Sequence, residues 1–328
     1  MALLRPMAVI LPMALLVACG GGGGSALAPE TGNSLNRLIE GRDQAIALVG
    51  GDHPPDLNSE QIKERLASIA RAGDTLLLDA FADANGMVQI TTVVNCMPGS
   101  RSCTGTVDQG GNSFEVEYFL DEIVESPSIN GVVLAMYDDE HSVVMTDRGV
   151  TLAQVSASGQ HDDTGGLYEY QGYGGWLEHS AFTVQFHKTI NAGDSEFSVS
   201  SDSEISFLIA NSFGKASAKN PTATATWSGV MVGATKRDGH VIHGDATIEF
   251  TMDVPNSLDV TFDNIKNFNT NTDAETPTMT WPSVRLEDGV FVDADDSIRG
   301  VFYGDSLEEV GGIFDRGNMI GAFGGVRQ

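Results

Sequence analysis

The sequence predicts a mainly β protein with two short N-terminal helices, a β-rich region after them, and a C-terminal eight-stranded antiparallel β-barrel. Three observations lead to this fold class. Helical periodicity is found within residues 33–73. From residue 75 onward, short runs of β-branched and aromatic residues alternate with clusters of Gly, Asn, Asp or Ser. Beyond residue 222 about eight such runs follow at meander spacing, and about eight strands close a barrel that its own side chains fill.

The first 18 residues have the features of a secretory signal peptide. Arg5 precedes an apolar run, residues 7–17, that is shorter than the about 20 residues of a membrane-spanning helix. Small residues before Cys19 give the spacing of a lipobox, in which that cysteine is acylated; the competing interpretation is an ordinary signal peptide with a stray cysteine. Residues 19–32 form a flexible glycine-rich tether. Gly20, in place of an aspartate, resembles lipoproteins that pass to the outer membrane.

The charge of the chain excludes one class of partner. Its 18 Lys and Arg residues face 45 Asp and Glu residues, for a formal net charge of −27. Nucleic-acid binding needs clustered basic residues, which this sequence lacks. The same charge repels anionic lipid head groups, so attachment to a membrane is expected through acyl chains.

Two helices are predicted in the helical segment, residues 33–73. The first covers residues 34–49, where apolar residues fall on one face, and Gly50 ends it. The second begins after Asn58 as N-cap, with Gln61 completing a capping box, and ends at Gly73. Such a pair most simply covers the open side of a sheet; the alternative is a partner-docking element.

A β-rich domain is predicted over residues 74–221. Its strands are expected at residues 76–81, 88–94, 114–120, 132–137, 142–146, 151–156, 182–186 and 207–210. Cys96 and Cys103 flank a short Pro- and Gly-containing loop, and in an exported protein this pair is most simply a local disulfide. A metal or redox site would need a closer pair or further thiolates.

The most aromatic segment of the chain is residues 167–176. Its Tyr168, Tyr170, Tyr173 and Trp176 could form an exposed contact surface for a protein or a stacked ligand, because Tyr and Trp are favoured at interfaces. The alternative is a strand whose aromatic side chains fill the core of the β-rich domain.

A small, polar stretch over residues 212–226 places the domain boundary between residues 221 and 222. The barrel strands are expected at residues 226–234, 241–252, 258–267, 279–284, 289–293, 298–303, 310–314 and 319–323. The closing strands contain three glycine-rich runs, FYG, EEVGG and GAFGG. Their residues are Gly304, Glu308, Glu309, Val310, Gly311, Gly312, Gly321, Phe323 and Gly324.

These runs resemble the closing signature of the transferrin-binding protein B β-barrel family of bacterial surface lipoproteins. The resemblance covers roughly residues 223–328, and it implies that residues 74–221 form a handle-like domain. It also implies binding of an iron- or haem-carrying protein, which is delivered to an outer-membrane receptor, with contacts on loops. One handle-plus-barrel unit fits this length, whereas transferrin-binding protein B has two lobes in tandem, and this difference weakens transferrin as the ligand.

No catalytic site is predicted. Glu308 and Glu309 are neighbours on a strand, so they point to opposite faces and cannot act as an acid and base on one substrate. The sequence has no nucleophile elbow, zinc-protease motif, P-loop or dinucleotide fingerprint, and no cofactor or metal is expected. The sequence therefore favours a non-enzymatic binding protein, with a structural envelope lipoprotein or a secreted hydrolase as alternatives.

Overall fold

The computed structural model describes residues 57, 59–82, 90–96, 102–109, 112–119, 140–160, 167–190, 204–237, 239–268 and 270–328. This part of the chain forms one helix, a nine-stranded sheet and a closed eight-stranded barrel. The predicted fold class, mainly β with a closed antiparallel eight-stranded barrel, is confirmed. The leader, the tether, the predicted helix over residues 34–49 and the predicted strand over residues 132–137 lie outside the described residues.

The single described helix is α1 (Ser59–Ala72). Its apolar residues Ile62, Leu66 and Ile69 are buried, as expected for one stripe of an amphipathic helix. Gly73 follows its last residue, where the sequence predicted the end of the helix. The helix contacts the sheet. That the predicted pair of helices covers the open side of a sheet stays a prediction, because the first helix lies outside the described residues.

The nine-stranded sheet is antiparallel throughout, with strand order β4-β3-β2-β1-β9-β8-β7-β6-β5. Its strands are β1 (Thr75–Ala82), β2 (Ile90–Cys96), β3 (Ser102–Gln109), β4 (Asn112–Phe119), β5 (Glu140–Asp147), β6 (Val150–Gln160), β7 (Leu167–Trp176), β8 (Ser180–Ile190) and β9 (Glu204–Gly214). Two meanders are joined where β1 pairs with β9, from Thr75↔Gly214 to Ala82↔Phe207. The sequence prediction lacks β3, because its small and polar residues hide the alternation that marks a strand.

The barrel is a single antiparallel meander closed by its first and last strands. Its strands are β10 (Ala225–Thr235), β11 (Val241–Phe250), β12 (Ser257–Asn267), β13 (Met279–Glu287), β14 (Val290–Val292), β15 (Ile298–Tyr303), β16 (Glu309–Arg316) and β17 (Met319–Arg327). Closure runs from Trp227↔Arg327 to Thr235↔Met319. Inward-facing aromatic side chains fill the barrel, including the fully buried Trp227, Phe262 and Phe291.

A second core lies between the barrel and the sheet, and we call this contact the junction. The outer faces of β10 and β15–β17 supply apolar residues to it, among them Val230 and Ile320. The sheet supplies Leu152, Phe182 and Leu208. The division of the chain into separately folding domains at residue 222 stays a prediction.

Candidate functional site

An open cleft of about 510 Å³ lies at one end of the barrel, which we call the mouth. Three connections surround it: the β10–β11 turn, the β12–β13 loop and the β16–β17 turn. Barrel mouths are frequent ligand sites, and the volume is within the usual range of about 300–1,000 Å³. The mouth therefore has room for a small ligand.

The floor of the cleft closes the barrel interior. Ile242, Met279 and Met319 line the cleft and are almost completely buried. Deeper in the barrel, the ring of Phe262 lies 5.1 Å from that of Trp281, within an aromatic cluster. Because side chains fill the barrel interior, a ligand in this cleft would lie at the mouth and not inside the barrel.

Arg316 is the one Lys or Arg among the described residues that line the cleft. Its guanidinium carbon lies 4.7 Å from the ring centroid of Trp281, a cation–π distance. Its Nη1 donates a hydrogen bond of 2.7 Å to the carbonyl oxygen of Thr280. These two contacts hold an otherwise exposed guanidinium in place at the mouth.

The β12–β13 loop forms an acidic wall of the cleft. Asp273 and Glu275 both line it and are exposed. Main-chain hydrogen bonds fix the loop: Ala274 N–H donates to the Ile265 carbonyl at 2.9 Å, and Ile265 N–H donates to the Pro277 carbonyl at 3.0 Å. The carboxylates are thus presented from an ordered loop.

The predicted aromatic contact surface is wrong for two of its four residues. On β7, Tyr173 is 1% exposed and Trp176 is 7% exposed, so both belong to the core, as the alternative interpretation held. The reason is that β7 lies inside the sheet between β6 and β8, and the face that bears Tyr173 packs into the junction. Tyr168 and Tyr170 lie on the same strand, and their side chains are outside the described structure.

Glu309 is a structural carboxylate of the junction. It is 3% exposed, and its Oε1 accepts hydrogen bonds from the main-chain N–H groups of Glu178 at 2.7 Å and His179 at 3.0 Å. Its Oε2 accepts from His179 N–H at 3.1 Å and from the Ser180 hydroxyl at 2.7 Å. The Glu309 side chain of the barrel therefore accepts the hydrogen bonds of the β7–β8 turn, and its carboxylate has a structural role.

Other polar contacts complete the junction. Arg65 of α1 donates from Nη2 to the carbonyl oxygen of Leu177 at 3.0 Å, in the same β7–β8 turn. The hydroxyls of Ser212 and Tyr303 lie 3.0 Å apart and are buried. Burial raises the pKa of the Tyr303 phenol, so it stays protonated.

The outward-facing glycines of the closing motif allow the sheet to approach the barrel. A Cβ at Gly324 would lie 2.5 Å from the ring of Phe182 and 2.9 Å from Leu177. A Cβ at Gly311 would lie 2.9 Å from the Ser212 hydroxyl. These positions require glycine because another side chain would separate the two layers.

The inward-facing residues of the motif pack the barrel. A Cβ at Gly312 would lie 2.6 Å from the ring of Phe323, and one at Gly321 would lie 2.5 Å from that of Phe314. Val310 is fully buried beside them. Each glycine makes room for an aromatic ring.

The turn before β16 holds the remaining motif residues. Gly304 adopts φ +81°, a conformation that glycine accepts without strain. Glu308 is half-exposed, its Oε2 accepts from Ser306 N–H at 2.9 Å, and a hydrogen bond with its own main-chain N–H lowers its pKa. The two adjacent glutamates therefore have different environments and do not act together.

His243 lies on the outer face of β11 beside the junction. Its ring is 5.1 Å from that of Phe268 in an edge-on contact. Burial, aided by the positive charge of Lys266, lowers the pKa of His243 to about 4, although Asp245 opposes the shift. Arg148 of the β5–β6 turn forms an ion pair of 3.1 Å with Asp245.

Cys96 and Cys103 are directly opposite each other in the pairing of β2 with β3. Opposed antiparallel residues have Cα atoms about 4.5–5.5 Å apart, within the separation that a disulfide spans. The disulfide stays a prediction, as does acylation of Cys19, which lies outside the described residues.

The described part of the chain contains no helix with the length and apolar character that a membrane span needs. No group of at least three His, Cys, Asp or Glu side chains there is arranged to hold a metal ion.

Comparison with known proteins gives likenesses to solved structures. A transferrin-binding protein B variant from Actinobacillus pleuropneumoniae has 12% identity and a TM-score of 0.33, with 77% of this chain and 99% of that chain covered. The N-lobe of lactoferrin-binding protein B from Moraxella bovis has 10% identity and a TM-score of 0.32, with 77% and 98% covered. A surface lipoprotein has 12% identity and a TM-score of 0.34, with 78% and 99% covered. Likeness at these TM-scores carries no argument about function. No protein-family model and no curated protein matches the chain.

No sequence motif marks the charged residues of the cleft. Arg316 ends β16, between two glycine-rich runs of the closing motif that do not include it, and Asp273 and Glu275 belong to a stretch that resembles an ordinary polar connection. The length of the β12–β13 connection is the available signal, because most hairpin loops have about 2–5 residues and longer ones are often functional.

Proposed function

We propose that this chain is a non-enzymatic, lipid-anchored lipoprotein of the outer membrane or cell surface that binds a protein or a small solute in iron or haem acquisition. The anchor is the acylated Cys19, and the glycine-rich tether holds the folded part away from the lipid. The ligand passes to an outer-membrane receptor. This proposal follows the sequence features of the leader and the closing motif.

The observation that carries the binding role is the cleft at the barrel mouth. Its floor is packed, loops form much of its wall, and Arg316 and two exposed carboxylates line it. Contact loops on a rigid β scaffold are the usual arrangement of binding proteins. By contrast, Glu309, Gly311 and Gly324 of the closing motif contact the sheet at the junction.

A pull-down tests the binding role. The acyl-free chain, Gly20 to Gln328, is the bait for growth-medium proteins and haem under iron limitation, and mass spectrometry identifies what is recovered. We expect a saturable iron or haem carrier that is lost with the double substitution Asp273→Asn and Glu275→Gln. The control is Asp305→Asn, an exposed turn residue at the other end of the barrel. Recovery of envelope components alone would favour a structural lipoprotein.

Cell fractionation tests the anchor. Cys19→Ser removes the acylated thiol, so the protein should move from the membrane to the soluble fraction. Cys103→Ser is the matched control, because it removes a thiol that the anchor does not use. Retention of the Cys19→Ser protein in the membrane fraction would contradict lipid anchoring.

A further inference from the structure

Opposite charges line the cleft without pairing across it. Arg316 has no carboxylate within 4.0 Å among the described residues, and neither Asp273 nor Glu275 has a basic partner there. Exposed charges in one cleft would gain from a ligand that carries the complementary charges at both ends. The cleft can therefore bind an anionic group at Arg316 and a cationic group at Asp273 and Glu275.

Arg316 is oriented for the anionic end. The ring of Trp281 and the carbonyl oxygen of Thr280 fix its guanidinium, while its other N–H groups have no partner among the described residues. A planar guanidinium that is already held in place loses little conformational entropy when it binds a carboxylate. Asn318, on the β16–β17 turn, lines the cleft beside it and can add an amide donor.

The acidic wall is suited to the cationic end. Asp273 and Glu275 project from a loop whose main chain is hydrogen-bonded, so a bound ammonium would not have to order the loop first. Threonine hydroxyls at Thr276 and Thr278 line the same wall and can accept further hydrogen bonds. The cleft of about 510 Å³ is large enough for a molecule of a few amino-acid residues.

From these charges we infer that the mouth of the barrel binds a small zwitterion, a short peptide or free amino acid, with its carboxylate on Arg316 and its ammonium on Asp273 and Glu275. This inference rests on the proposed binding role of the mouth and takes a small solute, and not a carrier protein, as the ligand there. The buried floor of Ile242, Met279 and Met319 favours an apolar side chain. A lone lysine or arginine from a partner protein would engage the acidic wall but leave Arg316 unused.

Calorimetric titration of the chain Gly20 to Gln328 with leucyl-leucine tests the inference. The N-acetylated dipeptide and the dipeptide amide are the ligand controls, since each lacks one charge. We expect saturable binding that weakens at least tenfold with either blocked dipeptide, because a hydrogen bond to a charged group contributes a factor of about ten or more.

Protein variants locate the site. Arg316→Gln should weaken leucyl-leucine at least tenfold but leave the affinity for the amide unchanged, because the amide has no carboxylate to lose. Asp273→Asn should weaken the free dipeptide without affecting the fold. Arg285→Gln is the control, since that arginine is exposed on β13 and pairs with Glu287 away from the cleft.

Each result decides the matter. Equal binding of the free and blocked dipeptides, or equal binding by Arg316→Gln and the wild type, would overturn the inference. The inference would also be overturned if no dipeptide bound while the pull-down recovered a carrier protein. In that case the proposed function would stand, with the mouth as a contact surface for a protein. Absence of both would remove the inference and the proposed function together.

Discussion

Removal of the Glu309 side chain tests the structure of the junction most directly. Glu309→Ala deletes both oxygens that accept from the β7–β8 turn, so the N–H groups of Glu178 and His179 lose their partners. The Ser180 hydroxyl can turn to another acceptor, but the two N–H groups are fixed by the main chain. Water has limited access to the position that the carboxylate leaves, because Glu309 is 3% exposed.

The two N–H donors that lose their acceptor determine how much stability Glu309→Ala should lose. A buried donor left unsatisfied costs about 1–3 kcal/mol, and a hydrogen bond to a charged group contributes about 1.5–3 kcal/mol. We discount the upper values because Glu178 is itself exposed and water can reach part of the turn. Glu309→Ala should therefore lower the free energy of unfolding by about 2–4 kcal/mol. Glu309→Gln should lower it less, since the amide oxygen still accepts from both N–H groups.

Urea unfolding of the chain Gly20 to Gln328, followed by tryptophan fluorescence, measures this change. Glu308→Ala is the matched control: Glu308 is the sequence neighbour, but it is half-exposed and its carboxylate accepts from its own turn and not from the sheet. We expect the control to change the free energy of unfolding by less than about 0.5 kcal/mol. Equal losses for Glu308→Ala and Glu309→Ala would refute the assignment of Glu309 to the junction.

Three further predictions address pH, the cysteines and packing. The pKa of His243 is about 4 in the fold and about 6.5 when unfolded, so the unfolded chain binds more protons between these values. The free energy of unfolding should therefore fall by up to about 3 kcal/mol as the pH drops from about 6.5 to about 4. In urea unfolding at several pH values, His243→Gln should make the free energy of unfolding depend less on pH. An unchanged pH dependence would contradict burial of a neutral imidazole. Peptide mapping without reductant should join Cys96 to Cys103, and free thiols at both would exclude the disulfide. Gly324→Ala should lower the free energy of unfolding by about 1–3 kcal/mol through overpacking against Phe182. Adding Phe182→Leu to this variant should restore part of that loss. No recovery would mean that the clash with Phe182 does not cause the loss.

The strands of the barrel could be predicted because each is marked by a pattern within its own short stretch of sequence. Alternating apolar residues and turn residues mark β15 to β17, and the positive φ of Gly304 and Gly317 lies at the turns that the sequence predicts. The strand β3 was not predictable in the same way, since its pairing with β4 depends on main-chain hydrogen bonds and not on an apolar pattern. The long-range pairing of β1 with β9 has no local signal at all.

The candidate site was much less predictable than the fold. Tyr173 and Trp176 have the composition of an interface, but whether an aromatic residue is exposed depends on which strands flank it, and that is a property of the topology. Arg316 illustrates the opposite case. Its role at the mouth depends on Trp281, 35 positions away in the chain but within cation–π distance in the fold.

The closing motif marks how the two layers are joined, and this constrains where a ligand can bind. Its outward-facing residues Glu309, Gly311 and Gly324 contact the sheet and so are not available to a ligand. Its inward residues Gly312 and Phe323 are consumed by packing. The exposed residues of the loops around the mouth, such as Asp273 and Glu275, belong to neither core, so their charges can change without loss of the fold. A binding protein of this architecture is therefore expected to vary its ligand at the mouth while it keeps the motif.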